Sequence, residues 1–189
     1  GCLLRIRIDG ESKINGCLED YAYLLEGLIT LYEASFNILW IERANYLALK
    51  MIDEFYDDKE GGFFITGLSS ERLIVRLKNA ADEAIPSANA IAIQSLLKLG
   101  HLTGKKVYLS TAEKSIHSFR QHINKNPAAY SGVLTGADFM SSSLTEVIFS
   151  GVREDQAFED MRDALQQDYR PNKIVIWNEN EKASKQLPL

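Results

Sequence analysis

Acidic and amide side chains gather at two places in this chain of 189 residues. Glu19 and Asp20 open the segment LEDYAYLLEGLITLYEAS, and Asp82, Glu83, Ser87 and Asn89 crowd around Pro86 in KNAADEAIPSANAIAIQSLLKLG. A hydrolase or a sugar isomerase divides acid and base work between two carboxylates, or a carboxylate and a histidine, about 5–10 Å apart. Asp20 with Asp82 or Glu83 is the best such pair, and Asp20 and Asp82 are taken as the candidate catalytic residues. Glu19, Tyr21, Glu83, Ser87 and Asn89 are the candidate substrate contacts, Tyr21 because an aromatic face with a hydroxyl suits a sugar ring. Each has a plainer use. Carboxylates in the first turn of a helix oppose its macrodipole and accept from free N–H groups, and serine just before a helix is a preferred cap.

Other chemistries lack their residues. His101, His117 and His122 fall near a helical loop and along the second helix of a hairpin, and neither a nucleophile triad nor a phosphate-binding glycine loop is visible. Cys2 and Cys17 form neither a CxxC pair nor a disulfide framework, and no Cys or His cluster has zinc spacing. Reduced cysteines, no metal and no cofactor are expected. Net charge is −5 with scattered Lys and Arg, so neither nucleic acid nor an anionic membrane surface is an expected partner. No apolar run approaches the roughly 18 residues of a membrane span, and GCLLRIRIDGES is too short in apolar residues for a secretory signal. A cytoplasmic location is expected.

The elements that must position the polar clusters are helical. Leu18, Ala22, Leu25, Leu28, Ile29 and Tyr32 recur at helical spacing and predict a first helix over residues 18–35. Trp40, Ala44, Leu47, Ala48, Met51 and Phe55 predict a second, folded back on the first. DDKEGGFFITG and ERLIVRL read as two brief strands or an extended loop, with Gly61 and Gly62 in a turn before Phe63. The period resumes from Ser87 to about Leu102 and from Val107 to about Ile123, and Pro127 suits the first turn of a shorter helix. LTEVIFSG, REDQAFEDMRDALQQDY and NKIVIW then predict a parallel βαβ unit, followed by a frayed tail.

Sliding the chain on itself by 68 residues aligns Leu28 with Leu96, Leu31 with Leu99, Trp40 with Tyr108 and Ala44 with Ala112. Repeated helical hairpins of this kind are the trace of a toroid or solenoid. Two parallel strands make a poor sheet alone, so the βαβ unit must lean on the helices or on another chain.

LEDYAYLLEGLITLYEAS, EGGFFITG, the segment with IPSAN, and RPNKIVIW occur in an order that resembles the C-terminal part of the YyaL-like, or spermatogenesis-associated protein 20, family of thioredoxin-domain-containing proteins. The resemblance runs from about Gly10 to Trp177. It implies an α/α toroid of the six-hairpin glycosidase type, similar to acylglucosamine 2-epimerases, with a thioredoxin-like domain preceding it in full-length members. About two and a half of six hairpins would be present, which makes a fragment. Asp82, Pro86, Ser87 and Asn89 match the family pattern, whereas Asn79 and Glu83 depart from it.

The expected architecture is therefore mainly α: a partial α/α toroid over 10–142 with a short β insertion, a βαβ unit over 143–178 and a flexible tail over 179–189. A non-catalytic helical scaffold, or interaction module, is the expected function, with homo-oligomers or the absent N-terminal region as partners. The alternative is a carbohydrate-binding, epimerase-like or glycosidase-like toroid whose activity needs that absent part.

Overall fold

The apolar stripe of the first segment folds as α1, Leu18–Ser35, in the computed structural model, which describes residues 2–70, 74–151, 155–167 and 169–178. The expected tail, 179–189, lies outside the described residues, as do Glu71, Arg72 and Leu73 of the insertion and Arg153 and Glu154 ahead of the crossover helix. Leu18, Ala22, Leu25, Ile29 and Tyr32 are buried along one face of α1. Phe36 turns the chain at φ 49°, and Asn37 caps the next helix by accepting from the Leu39 N–H at 3.1 Å. So short a link sends α2, Ile38–Phe55, back along α1.

After the insertion comes α3, Ala88–Thr103, which packs against α1 and is buried on nearly every side. It ends at Gly104 and hands over to α4, Lys106–Ser118. The single helix expected as far as Ile123 breaks at Phe119, whose φ of −94° and ψ of 0° leave the helical region, and α5, Arg120–Lys125, follows. Pro127 opens a single 3-10 turn, Pro127–Tyr130, and α6 spans Ser131–Ser141. A Cβ on Gly132 would lie 2.7 Å from that of Ala90, and one on Gly136 would lie 2.8 Å from Ile93. These two glycines let α6 lie directly on α3.

Of the two forms expected for the insertion, its described residues take the extended loop, with one isolated bridge, Tyr56 to Phe63. Gly61 and Gly62 take φ of 82° and 76° at its turn, which a side chain would strain, and Phe63 drops fully into the core. Arg76 stacks over the Phe64 ring at 4.3 Å and donates to the Glu54 and Thr66 carbonyls. Lys78 donates to Asp57 at 2.7 Å and to the Gly61 carbonyl.

Two strands precede α1 that periodicity did not predict: β1, Leu4–Ile8, pairs antiparallel with β2, Glu11–Asn15, across the Asp9-Gly10 turn. At the other end β3, Thr145–Ser150, and β4, Lys173–Asn178, pair in parallel through α7, Gln156–Gln167. This unit leans on the helices, as its two-stranded sheet requires. Phe36 meets Phe149 and Phe158 with ring centres 6.0 Å apart, and the Trp177 N–H donates to the Tyr32 hydroxyl. The molecule is mainly helical with small sheets, and none of its described helices is long and apolar enough to cross a membrane.

Candidate functional site

The polar segment before α3 is a knot of hydrogen bonds. Ser87 accepts from the Ala90 N–H at 3.2 Å, the N-cap bond, and its hydroxyl donates to the Ala80 carbonyl at 2.9 Å. Asp82 accepts from the Ser87 N–H at 2.8 Å, the Ser131 hydroxyl at 2.8 Å and the Gly132 N–H at 2.7 Å. Its own N–H donates to the Ala129 carbonyl at 2.7 Å, so this residue fastens the start of α6 to the start of α3. Burial alone would raise the Asp82 carboxyl, but the bonds from Ser87, Gly132 and Ser131 outweigh it and hold the group below the ordinary carboxylate range.

Asn89 is fully buried. Its carbonyl accepts from the Phe63 N–H at 2.8 Å, and its amide donates to the Phe63 and Asn79 carbonyls at 2.9 and 2.8 Å. One side chain thereby completes the backbone bonding of Phe63 and ties the insertion to α3. Glu83, by contrast, is exposed at the surface.

The start of α1 is built more locally. The Asp20 carboxylate accepts from the Cys17 N–H at 2.8 Å and from its thiol at 3.3 Å, closing a capping box in which cysteine holds the serine position. Arg5 reaches Glu19 at 3.5 Å and Asp20 at 3.8 Å, from side chains that are themselves partly exposed. Burial raises the Cys17 thiol above its ordinary value. Tyr21 is only 2% exposed, lies edge-on to Phe55 at 5.0 Å and accepts from the Leu3 N–H at 3.0 Å. Tyr23, two residues on and toward another side of the helix, donates to the Pro86 carbonyl at 2.8 Å and links the two helix starts.

Three shallow hollows surround Ile85. Asp20 lines one of about 490 Å³ with Arg5 and Glu19, and Asp82 lines another of about 420 Å³ with Glu26 and Gln94. Among these hollows the candidate acid–base pair is divided, Asp20 in one and Asp82 in another. Between them a third, of about 200 Å³, brings together Glu19, Glu83, Asn79 and Ser87. The structure thus joins the substrate-contact candidates Glu19, Glu83 and Ser87, while Tyr21 and Asn89 are enclosed by protein. Ile85, common to all three hollows, was not singled out from sequence, and one apolar residue ahead of Pro86 in an aperiodic loop carries no signal that could have found it. His101 sits in the last turn of α3 with its ring 5.9 Å from that of Phe139, away from both clusters. Among the described residues no group of His, Cys, Asp or Glu is placed to hold a metal ion.

Set against known proteins, the chain is 30% identical over 177 residues to human spermatogenesis-associated protein 20 and 31% identical over 179 residues to the rat protein. The chain is homologous to part of spermatogenesis-associated protein 20. Each alignment covers 92% of this chain and 22% of the relative, so the chain spans about a fifth of the length of these proteins, consistent with a C-terminal part of the family. An uncharacterised protein of Caenorhabditis elegans, B0495.5, is 24% identical over 172 residues, 91% of this chain and 23% of that protein. No family model matches the chain.

Proposed function

We propose that this chain is a non-catalytic helical scaffold, one sector of an α/α toroid that serves as an interaction module for the rest of the family protein. The observation that carries this is the use made of the two candidate catalytic carboxylates. Asp20 closes a capping box, Asp82 accepts three hydrogen bonds from the protein itself, and the two line different hollows. A general acid must carry a proton at working pH, and the Asp82 carboxyl is pushed the other way, toward the ionised form. Open hollows of this kind also exclude little water, which sugar chemistry ordinarily requires of its site.

A second function, carbohydrate binding with epimerase-like or glycosidase-like use, rests on the middle hollow. There Glu19 and Glu83 come from different helix starts and share a wall with Asn79 and Ser87. One experiment separates the two. Melting temperature is followed for wild type, Asp20→Asn and Glu83→Gln against a panel of monosaccharides and N-acylated sugars at millimolar concentration. The scaffold predicts no sugar-dependent shift in any of them. A saturable rise in wild type that Glu83→Gln abolishes would replace it with the carbohydrate function.

A further inference from the structure

The internal repeat makes α1 and α3 equivalent, and the two helices differ in what covers them. At an offset of 68 residues Leu24, Gly27, Leu31 and Ala34 of α1 correspond to Ala92, Ser95, Leu99 and Leu102 of α3. All four α3 residues are buried, none more than 2% exposed. Their α1 counterparts form a stripe at steps of three and four that is open: Leu24 is 43% and Leu31 46% exposed, Gly27 and Ala34 are exposed, and a Cβ on Gly27 would meet nothing within 4 Å.

What covers the stripe on α3 can be read from its neighbours. α6 lies on Ala90, Ile93, Gln94 and Leu97 through its glycines, and α4 reaches α3 at Gly100 through Leu109. Ala92, Ser95, Leu99 and Leu102 point to a different side, about 100° or more round the helix from Ile93. That side is left to α1, α2 and β4, the other elements that α3 packs against. The stripe on α3 is therefore the one that receives the preceding hairpin. On α1 the same stripe has the same apolar character, and the described chain ahead of it supplies the β1–β2 hairpin and no helical one.

We infer that the Leu24, Gly27, Leu31 and Ala34 face of α1 is an interface for one more helical hairpin of the same repeat, supplied by the part of the family protein that this chain does not cover. This rests on the scaffold function and gives it a surface and an occupant. The occupant is argued from continuity: α1–α3 and α3–α6 are successive steps of one packing, and the open stripe is where the step before them would fall. The relatives, of which this chain spans about a fifth, have the length to provide it.

The test uses the complete gene product with Cys2, Cys17 and every cysteine outside this chain replaced by serine. Single cysteines are placed by Leu24→Cys and Leu31→Cys, with Ser110→Cys on the exposed side of α4 as reference, and the rate of reaction with a thiol reagent is measured. Labelling at 24 and 31 slower than at 110 by about tenfold or more is the expected result, because a packed face reacts only on local opening. Equal rates would overturn the inference, as would protection that disappears on dilution, which assigns the face to a second copy of the chain. Should a cysteine variant fail to fold, hydroxyl-radical footprinting of unaltered Leu24 and Leu31 against exposed Leu49 asks the same question of the wild type, with the same outcomes. Fast labelling removes the interface while leaving the scaffold function to the sugar-melting experiment, so the two fail separately.

Discussion

The starts of α1 and α3 lie side by side, and their carboxylates are held in different ways. At α1 the carboxylate bonds stay within four residues, Asp20 to Cys17, with Arg5 loosely placed over two half-open carboxylates, and the longer ties run instead from the Leu18 N–H to the Ile65 carbonyl and from the Tyr23 hydroxyl to the Pro86 carbonyl. At α3 the bonds run to Phe63, Asn79, Ala80, Ser131 and Gly132, so three separate stretches of chain converge on Asp82, Ser87 and Asn89. Polar residues that look alike in sequence thus have different duties. Where a helix start is enclosed by the next hairpin, its carboxylate and amide complete a buried network, and where it is open the carboxylates do little more than finish the helix.

The comparison is broken most directly at Asn89. We expect Asn89→Leu to cost about 3–5 kcal/mol, because it strands the Phe63 N–H and the Phe63 and Asn79 carbonyls in a dry site. In a domain of this size that lowers Tm by about 10 °C by calorimetry. A loss below about 1 kcal/mol would mean that the insertion holds itself and that the knot is decorative.

Asp82→Asn comes next, at about 2 kcal/mol near neutral pH, since the amide offers one acceptor oxygen to three donors and loses the charge that strengthens each bond. The folded carboxyl lies below its unfolded value, so its stabilisation is fully present above the unfolded pKa of about 3.9 and is lost as pH falls through the lowered folded value. Urea midpoints from pH 6 down to about pH 3 should therefore show wild type and Asp82→Asn converging only at the acid end. Comparing the pair removes the parallel losses at Asp57 and Asp138, whose carboxyls are also held low.

Much of this frame was legible in the residues. The bounds of α1, the Ser87 cap and the parallel βαβ unit all follow from local signals, an apolar period or a capping side chain, that lie within a few residues of what they specify. The β1–β2 hairpin was legible too, in the alternation of LRIRI and the Asp-Gly turn, but so short an apolar run was weighed only as a leader. What could not be seen is the tie from Asp82 to Ser131 and Gly132, which spans some 50 residues and depends on how close α6 comes to α3. The enclosure of Tyr21 and Asn89 is of the same kind, because a side chain's exposure is decided by elements distant in sequence.

Ser87→Ala sharpens the contrast at moderate size. It removes the cap of α3 and the bond to Ala80, and we expect about 1 kcal/mol by chemical denaturation, short of Asp82→Asn because the Asp82 bond to the Ser87 backbone N–H survives.

The smallest effects belong to α1 and decide whether the contrast is real. Asp20→Asn keeps an oxygen that can accept from the Cys17 N–H and gives up only charge, at a position 27% exposed beside a 3.8 Å approach from Arg5. We expect about 0.5 kcal/mol, as for an exposed pair screened by water and salt. Glu19→Gln, whose one ionic contact is 3.5 Å long between side chains nearly half exposed, should fall within about 0.5 kcal/mol of wild type in either direction. Both estimates follow from locality: a bond made within four residues forms as soon as the helix does, so its loss frays one turn and loosens nothing beyond it. If Asp20→Asn instead matched Asp82→Asn in its loss of Tm, the α1 start would be bracing the β1–β2 hairpin through Arg5, and the open face of α1 would need that brace as part of its surface.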